Sequence, residues 1–533
     1  MEEDLNFVQR LRNCFRIHWN GFFYLLSPLV LLPLLFMQPL MENRALYILL
    51  LAFLWYAVDV LPQGVTAVLP IIWYPLFGIM SSMEVCMSYA QDSQMVFILS
   101  NYLAISIVHN KLDRYIALRF LKKFGVNPTR ILPTLMILTF LLSIFIPDAC
   151  ACSLMIPLAK AILQILDEIN VCKPIDNSIL LKDDETPYPS KVANAFYIGI
   201  GYAANIGGMT TFWSSESGYE FQNVYNDTNA EANLFLKYII TALPVTICLL
   251  IFTIVYLEII FLDLMWSKSE RRITYDDEAS VASLDVILND NKQEKSAYVV
   301  VTLCLMVAFV ILLIIVKILD QLGKENKHLY IKYSTFLMLI CLIAFVCPVD
   351  FSFLNYFICQ KPPVYKTSPS ILPWSTIPKQ MPWGHFLVYG SGLAFGVGIN
   401  KAKVYKYLAE HLVESKSLVE KQLGFMGVGL LLSTMGANHL ITKSMISLGI
   451  KASSLNNTDS SLFTIPIPIT LACSLSFLLP VSSISNCFSS GWGNLRSRDI
   501  MLAGIGPTIV GFVLIFSFMF LGNVMTNLFE TKL

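Results

Sequence analysis

The sequence predicts an all-α polytopic membrane protein. Three observations carry that reading: an apolar composition, a series of apolar runs of spanning length, and a second half that repeats features of the first. Of the 533 residues, 56% are hydrophobic and only 14% charged, and the mean hydropathy of +0.63 lies well above what a water-soluble globule carries. A cytosolic enzyme is excluded on that balance. With roughly 20 residues per crossing, the length accommodates about a dozen spans and their connections in one membrane unit. The 37 basic and 37 acidic residues cancel, so no global field draws nucleic acid or a lipid surface.

In chain order, apolar runs fall at 21–38, 45–62, 64–80, 94–109, 131–166, 192–213, 234–264, 296–319, 331–349, 383–400, 423–450, 461–490 and 500–523. Arg10, Arg12 and Arg16 precede the first run, which contains Pro28 and Pro33 and lacks a small-residue cleavage site; it reads as a signal anchor. Two runs differ from plain spans. The run 131–166 is too long for one helix and breaks at Pro147, and 423–450 breaks around Gly436 and carries His439 and Lys443 near its middle. Both read as re-entrant hairpins, leaving about 11 transmembrane helices.

The basic amphipathic stretch 110–130, the N-terminal arginines and the charged linker 265–296 are placed on the cytoplasmic side by positive-inside counting. The twelve cysteines, among them Cys150, Cys152, Cys248, Cys304, Cys341 and Cys473, sit mostly in apolar runs without CxxC spacing and read as small buried hydrophobes. Asn226–Thr228 and Asn456–Thr458 match glycosylation sequons, a pattern common by chance.

The internal repeat is the most informative feature. A shift of 290 residues aligns Leu103-Ala104 with Leu393-Ala394, Asn110-Lys111 with Asn400-Lys401, Tyr115 with Tyr405, and the break Pro147-Asp148 with Ala437-Asn438. An odd number of spans between the copies makes the second copy inverted, and an inverted repeat with paired hairpins predicts a transporter. The expected division is scaffold helices at 1–93, a first repeat at 94–264 with hairpin 131–166 and broken helix 202–218, the linker 265–296, scaffold helices and a connection at 297–382, and a second repeat at 383–533 with hairpin 423–450 and broken helix 476–487. Hairpin tips and broken helices bring helix ends to mid-membrane, where unpaired N–H groups hold an anion and freed carbonyls a cation.

These residues resemble the divalent-anion:sodium symporters, which include sodium/dicarboxylate, sodium/citrate and sodium/sulfate cotransporters and the insect I'm-not-dead-yet carriers. The resemblance spans almost the whole chain. It rests on WYAVDVLP at Trp55–Pro62, LDRYIALR at Leu112–Arg119, MIPLAKAIL at Met155–Leu163, YPSK at Tyr188–Lys191, IGYAANIGG at Ile200–Gly208, KQMPWGHFLVYGSGLAFGVG at Lys379–Gly398, LACSLSFLLPVSS at Leu471–Ser483 and AGIGPTI at Ala503–Ile509. It implies an elevator carrier in a multi-pass membrane setting, expected to be the plasma membrane. It also implies a homodimer, a small anionic substrate of the succinate, citrate or sulfate kind, and sodium as the coupling ion with no other cofactor. A transport-deficient or re-purposed paralogue is the alternative, because the family's Ser-Asn-Thr at each tip is replaced by Pro147-Asp148-Ala149 and Ala437-Asn438-His439.

Asn205, Gly207, Gly208, Thr211, Asn438, Ser483 and Asn486 are the expected substrate-binding residues, the two glycines letting backbone approach the ligand. Pro147, Asp148, Ala149, Ala437, His439 and Lys443 form the cation site or its replacement. Asp148 is expected to N-cap the second half of its hairpin. A carboxylate about 4 Å from a substrate charge costs on the order of 4 kcal/mol at an effective dielectric near 20, nearly a thousandfold in affinity. Lys443, costly in mid-membrane unless paired, is expected to pair with Asp148 or to stand in for a sodium ion. Asp59 reads as a structural helix contact, and Gly392/Gly396 as a close-packing helix face rather than a nucleotide loop. No GxxxxGK[ST], HExxH or GxSxG motif occurs, so the chain is not expected to be an enzyme, and no resident metal is expected.

Overall fold

The computed structural model describes residues 7–38, 40–176, 187–228, 234–262, 297–322, 333–348, 369–414, 417–455 and 465–530, with 284 and 286 as isolated positions. The charged linker and the second sequon lie outside the described residues, while the first sequon closes a helix ending at Thr228. Two isolated bridges aside, the described residues hold no strand. In chain order the longer helices are α1 (Phe7–Leu31), α2 (Leu40–Val58), α3 (Asp92–His109), α4 (Leu112–Phe124), α5 (Pro128–Phe145), α6 (Asp148–Glu168), α7 (Lys191–Gly208), α8 (Glu216–Thr228) and α9 (Leu234–Phe261). They continue with α10 (Ala297–Leu322), α11 (Tyr333–Val346), α12 (Trp383–Lys401), α13 (Val404–Glu414), α14 (Leu418–Ser433), α15 (Asn438–Leu455), α16 (Pro466–Ser474), α17 (Ile484–Gly493) and α18 (Ser497–Glu530).

Several helices present an apolar stripe at helical spacing to the outside. Ile240, Ile247, Ile251 and Val255 are exposed on α9, and Leu502, Ile505, Ile509 and Val513 on α18. Stripes of this size need a covering of hydrocarbon or another apolar surface, and repeated on several helices they fit a multi-pass membrane protein. Cys248 and Cys304 lie exposed on such helices, so the expectation that they are buried fails, whereas Cys150, Cys152, Cys341 and Cys473 are buried. Among the described residues, five helices are long and apolar enough to cross a bilayer, or six with the bent pair α3–α4. Fewer candidates result than the apolar runs suggested, in part because two runs fold as broken helices and α12 is diluted by glycine.

Over each expected hairpin the chain forms two helices joined at a short break, α5/α6 at 128–168 against the expected 131–166 and α14/α15 at 418–455 against 423–450, with α5 and α6 both among the helices long and apolar enough to cross a bilayer. Asn127 caps α5 by accepting the Thr129 N–H at 3.1 Å, and Ser417 caps α14 through the Glu420 N–H at 3.4 Å. Pro147 ends the first arm: it has no N–H to continue the helix, and it holds Ile146 extended at φ −122°, ψ 159°. The starts of α5 and α14, and of α6 and α15, are each separated by 290 residues, the offset read from the sequence. Lys111 at φ 56° and Lys403 at φ 57° make left-handed turns two residues after α3 and α12 end, although Lys403 lies two residues beyond the position that the 290-residue offset pairs with Lys111.

Packing repeats the same logic. The first hairpin, α5/α6, packs on α7 and α17, and the second, α14/α15, packs on α16 and α8. Each hairpin thus meets the first half of its own broken helix and the second half of the other one. From Ala193 to Gly208, α7 is buried on every side, as expected of a helix enclosed by others.

Candidate functional site

The two broken helices open at 209–215 and 475–483, inside the expected 202–218 and overlapping the expected 476–487. Each hairpin tip is hydrogen-bonded to one of these breaks. The Asp148 N–H donates to the Ser214 carbonyl at 3.1 Å, and the Asn438 N–H donates to the Ser482 carbonyl at 3.0 Å. The next residue in each break caps the helix that follows: Ser215 Oγ accepts the Gly218 N–H at 3.1 Å, and Ser483 Oγ accepts the Asn486 N–H at 3.3 Å. Four helix starts, those of α6, α8, α15 and α17, therefore converge, with matching bonds in both repeats.

These bonds alter the expectation of free N–H groups at the tips. The Ala149 N–H donates to Asp148 Oδ1 at 2.7 Å, and the Ala437 N–H donates to the Gly392 carbonyl at 2.9 Å. Pro147, and not Asp148, occupies the N-cap of α6; Asp148 is the first helical residue and its carboxylate faces the next N–H. Ser485 Oγ lies 3.5 Å from Asp148 Oδ2 and joins the two repeats.

Thr211 and Gly207 serve the scaffold of the site. Thr211 Oγ1 and Ser214 Oγ, hydrogen-bonded to each other at 2.6 Å, lie 3.2 Å and 2.8 Å from the Ile144 carbonyl, one of the orphan acceptors at the end of α5. A Cβ on Gly207 would stand 2.6 Å from the Phe140 carbonyl, so this glycine admits the backbone of α5 rather than a ligand. Gly208 lies beside Asp148 and Ser215. On α12, a Cβ on Gly392 would reach within 2.1 Å of the Val481 carbonyl, the close-packing face the sequence indicated. Asp59, at φ 52°, accepts the Arg498 N–H at 3.4 Å, which makes it the helix contact expected of it.

Asn205 and Asn486 each bond a carbonyl at or beside the second break. Asn205 Nδ2 donates to the Ser474 carbonyl at 3.2 Å, and Asn486 Nδ2 donates to the Ser476 carbonyl at 2.9 Å. Their Oδ1 atoms and Ser476 Oγ are buried without a hydrogen-bond partner, and orphaned buried oxygens of this kind are rare enough to need a reason.

The charged residues pair along α8 and α15, one helical turn apart on each helix. His439 Nδ1 is 2.9 Å from Glu216 Oε2, and Lys443 Nζ is 3.1 Å from Glu220 Oε2. Tyr389 donates its hydroxyl to the same Glu216 oxygen at 3.1 Å. The expected pairing of Lys443 with Asp148 is therefore replaced by one with Glu220. Asp148 starts α6, whereas Lys443 is a full turn beyond the second tip, on the face of α15 that meets α8. Glu220, Ser476, Ser482 and Tyr389 are not picked out as site residues by the sequence. The four-residue spacing of Glu216 and Glu220, matching that of His439 and Lys443, was the available signal.

The transmembrane region of the sodium:sulfate symporters matches residues 18–528. The chain belongs to the sodium:sulfate symporter family. It is similar to the protein I'm not dead yet of Drosophila melanogaster, 28% identical over 95% of this chain and 89% of that protein. It is also similar to the Na(+)/citrate cotransporter of Mus musculus, 23% identical over 92% of each chain. With solute carrier family 13 member 2 of Oryctolagus cuniculus it shares 26% identity over 95% of this chain and 93% of that protein. Membership makes the chain a membrane transporter and not an enzyme.

Proposed function

We propose that the chain is a secondary carrier of a divalent or trivalent organic anion of the succinate and citrate class, moving it together with a cation through the space between the two hairpin tips and the two breaks. The observation that carries this reading is the reciprocal bonding of the tips to the breaks, Asp148 to Ser214 and Asn438 to Ser482. It sets four helix starts around one locus, and helix starts favour anions through their partial positive charge. The names of its relatives, carriers of citrate and dicarboxylates, support the same substrate class. Asn438, Asn205 and Asn486 are the amides we assign to the site, in a homodimer at the plasma membrane.

Charge bookkeeping supports a cation as co-substrate. Glu216 and Glu220 each face a basic group of α15, His439 at 2.9 Å and Lys443 at 3.1 Å, so the two basic side chains at this turn are both engaged. A lysine held by its own glutamate supplies no spare charge, so it does not replace sodium. Asn205 Oδ1, Asn486 Oδ1 and Ser476 Oγ are acceptor oxygens suited to a hard cation such as Na+ at an unwound segment. Uptake of radiolabelled succinate, citrate and sulfate into vesicles, in sodium and in choline medium, tests both parts. Uptake of a carboxylate that collapses in choline supports them, and full uptake in choline removes the cation.

The carboxylates Asp148 and Glu216 at the helix starts favour a second reading, a family member that keeps the fold without transporting. Silence with every anion, from protein shown at the cell surface, supports that one instead.

A further inference from the structure

Away from the transport site, the chain builds a basic face on α4. This helix turns 72° away from α3. Spanning helices tilt about 20° from the membrane normal on average, so if α3 crosses the membrane, a helix bent this far from it runs toward the membrane plane. Its inner face is closed by buried Leu112, Ala117, Leu118, Phe120 and Leu121, packed against α6 and α3. Arg114 fastens it to the end of α6 through a two-pronged pair with Glu168, both bonds 2.8 Å long.

What remains outside is cationic. Arg119, Lys122 and Lys123 are exposed at i, i+3 and i+4, and Arg130 is exposed on the first turn of α5 just beyond. Among the described side chains, the acids near this face are Asp113, which is buried, Glu168, which Arg114 holds, and Asp167, exposed at the end of α6. The equivalent helix of the second repeat, α13, is mixed in charge among its described side chains: exposed Lys403 and Lys406 are followed by exposed Glu410, and Lys401 is held by Glu84. In a duplicated fold this asymmetry is not imposed by packing. It matches a membrane whose two leaflets differ in charge.

We propose that α4 is a contact site for acidic phospholipid headgroups, with Arg119, Lys122, Lys123 and Arg130 holding their phosphates at the cytoplasmic surface. A cluster of basic side chains on an in-plane helix gathers anionic lipid, and the attraction falls off within a Debye length. The helix links α3 to the first hairpin, so the lipid contact steadies the segment from which that hairpin hangs.

The test uses the full chain in nanodiscs of phosphatidylcholine with a graded fraction of phosphatidylserine, read by thermal unfolding. The wild type is expected to gain melting temperature with phosphatidylserine and to lose the gain at high salt. In R119Q/K122Q/K123Q the phosphatidylserine fraction for half-maximal effect rises about tenfold or more, since each basic residue contributes severalfold to such attraction. K403Q/K406Q at the start of α13 leaves the response unchanged. K122Q/K123Q gives an intermediate response and serves if the triple variant folds poorly. A wild type indifferent to phosphatidylserine overturns the proposal, as does a triple variant with an undiminished response. So does equal stabilisation of the wild type by soluble phosphoserine in neutral nanodiscs, which marks a free-anion site. A triple variant destabilised equally with and without phosphatidylserine also overturns it, because that outcome marks a protein partner such as the linker 265–296.

Discussion

Lys443 of the second hairpin reaches Glu220 of the first broken helix, 3.1 Å away, and so ties the two repeats together at their charged turn. The ammonium is 56% exposed and the carboxylate 19% exposed, so water screens one partner more than the other. Replacing Lys443 by Met leaves Glu220 enclosed without its partner and is expected to cost about 1 kcal/mol of stability, discounted for that screening. The reversed pair Glu220→Lys/Lys443→Glu recovers most of it. A melting series of the two single variants and the double reversal checks this, and additive losses in the reversal contradict a direct pair.

The adjacent glycines at the end of α7 separate packing from tolerance. Gly207→Ala places a methyl 2.6 Å from the Phe140 carbonyl and 2.8 Å from Ser143 Cβ. The α5–α7 contact has to open, at about 1–3 kcal/mol. Gly208→Ala meets its neighbours at 3.4–3.5 Å, ordinary contact distances, and is expected to fold and reach the membrane like wild type. Surface expression and thermal stability of the two variants decide between them, and equal behaviour contradicts the geometry.

At the second break, Asn486→Ala removes a donor to the Ser476 carbonyl and an oxygen that no protein group engages. The sodium concentration for half-maximal uptake is expected to rise about tenfold, the loss of roughly 1.4 kcal/mol of cation binding. Asn205→Ala acts in the same direction. A shift confined to the anion's half-saturation, with sodium dependence unmoved, removes these oxygens from the cation's surroundings.

Thr211 and Ser214 are expected to matter for stability more than for substrate affinity, because both hydroxyls lie in one hydrogen-bonded group with the Ile144 carbonyl. Thr211→Val and Ser214→Ala each cost about 1 kcal/mol, the usual net worth of a hydrogen bond. Their half-saturation for anion stays near wild type. A large affinity loss without a stability loss returns Thr211 to the substrate.

Glu84, outside the candidate spans, gives a pH-dependent prediction. Its carboxylate pairs with Lys401 and accepts the Ser81 N–H, and these contacts lower its pKa from 4.5 to about 2, the Lys401 hydrogen bond first. A depressed folded pKa means the stabilisation is complete above the unfolded value and is lost as pH falls from about 4.5 toward 2. The melting-temperature difference between wild type and Glu84→Gln should stay constant from about pH 8 to 5.5 and shrink on further acidification. A difference that grows on acidification contradicts the assignment.

Much of this architecture was legible in the sequence because it is written in local chemistry. Hydrophobic runs, Pro147 with its missing N–H, and the 290-residue offset fixed helices, hairpins and duplication without reference to any partner. The second break, expected at 476–487, opens at 475–483, one residue earlier at its start and four at its end. Roles within the site were less legible. Thr211, Gly207 and Ser483 bear the residue types of ligand contacts, yet Thr211 and Gly207 contact α5 tens of residues away and Ser483 caps α17, the helix that follows it.

By itself, then, the sequence determined that the chain is an all-helical, duplicated membrane transporter with charge placed at its hairpins, because helix periodicity, proline and apolar length act within a few residues. Only the tertiary structure decided which charges meet. Glu216 and Glu220 lie more than 200 residues from His439 and Lys443, and nothing local to either segment selects the partner. The packing of α8 on α15 makes that choice, and it turns a lysine that seemed free to replace a cation into one already engaged.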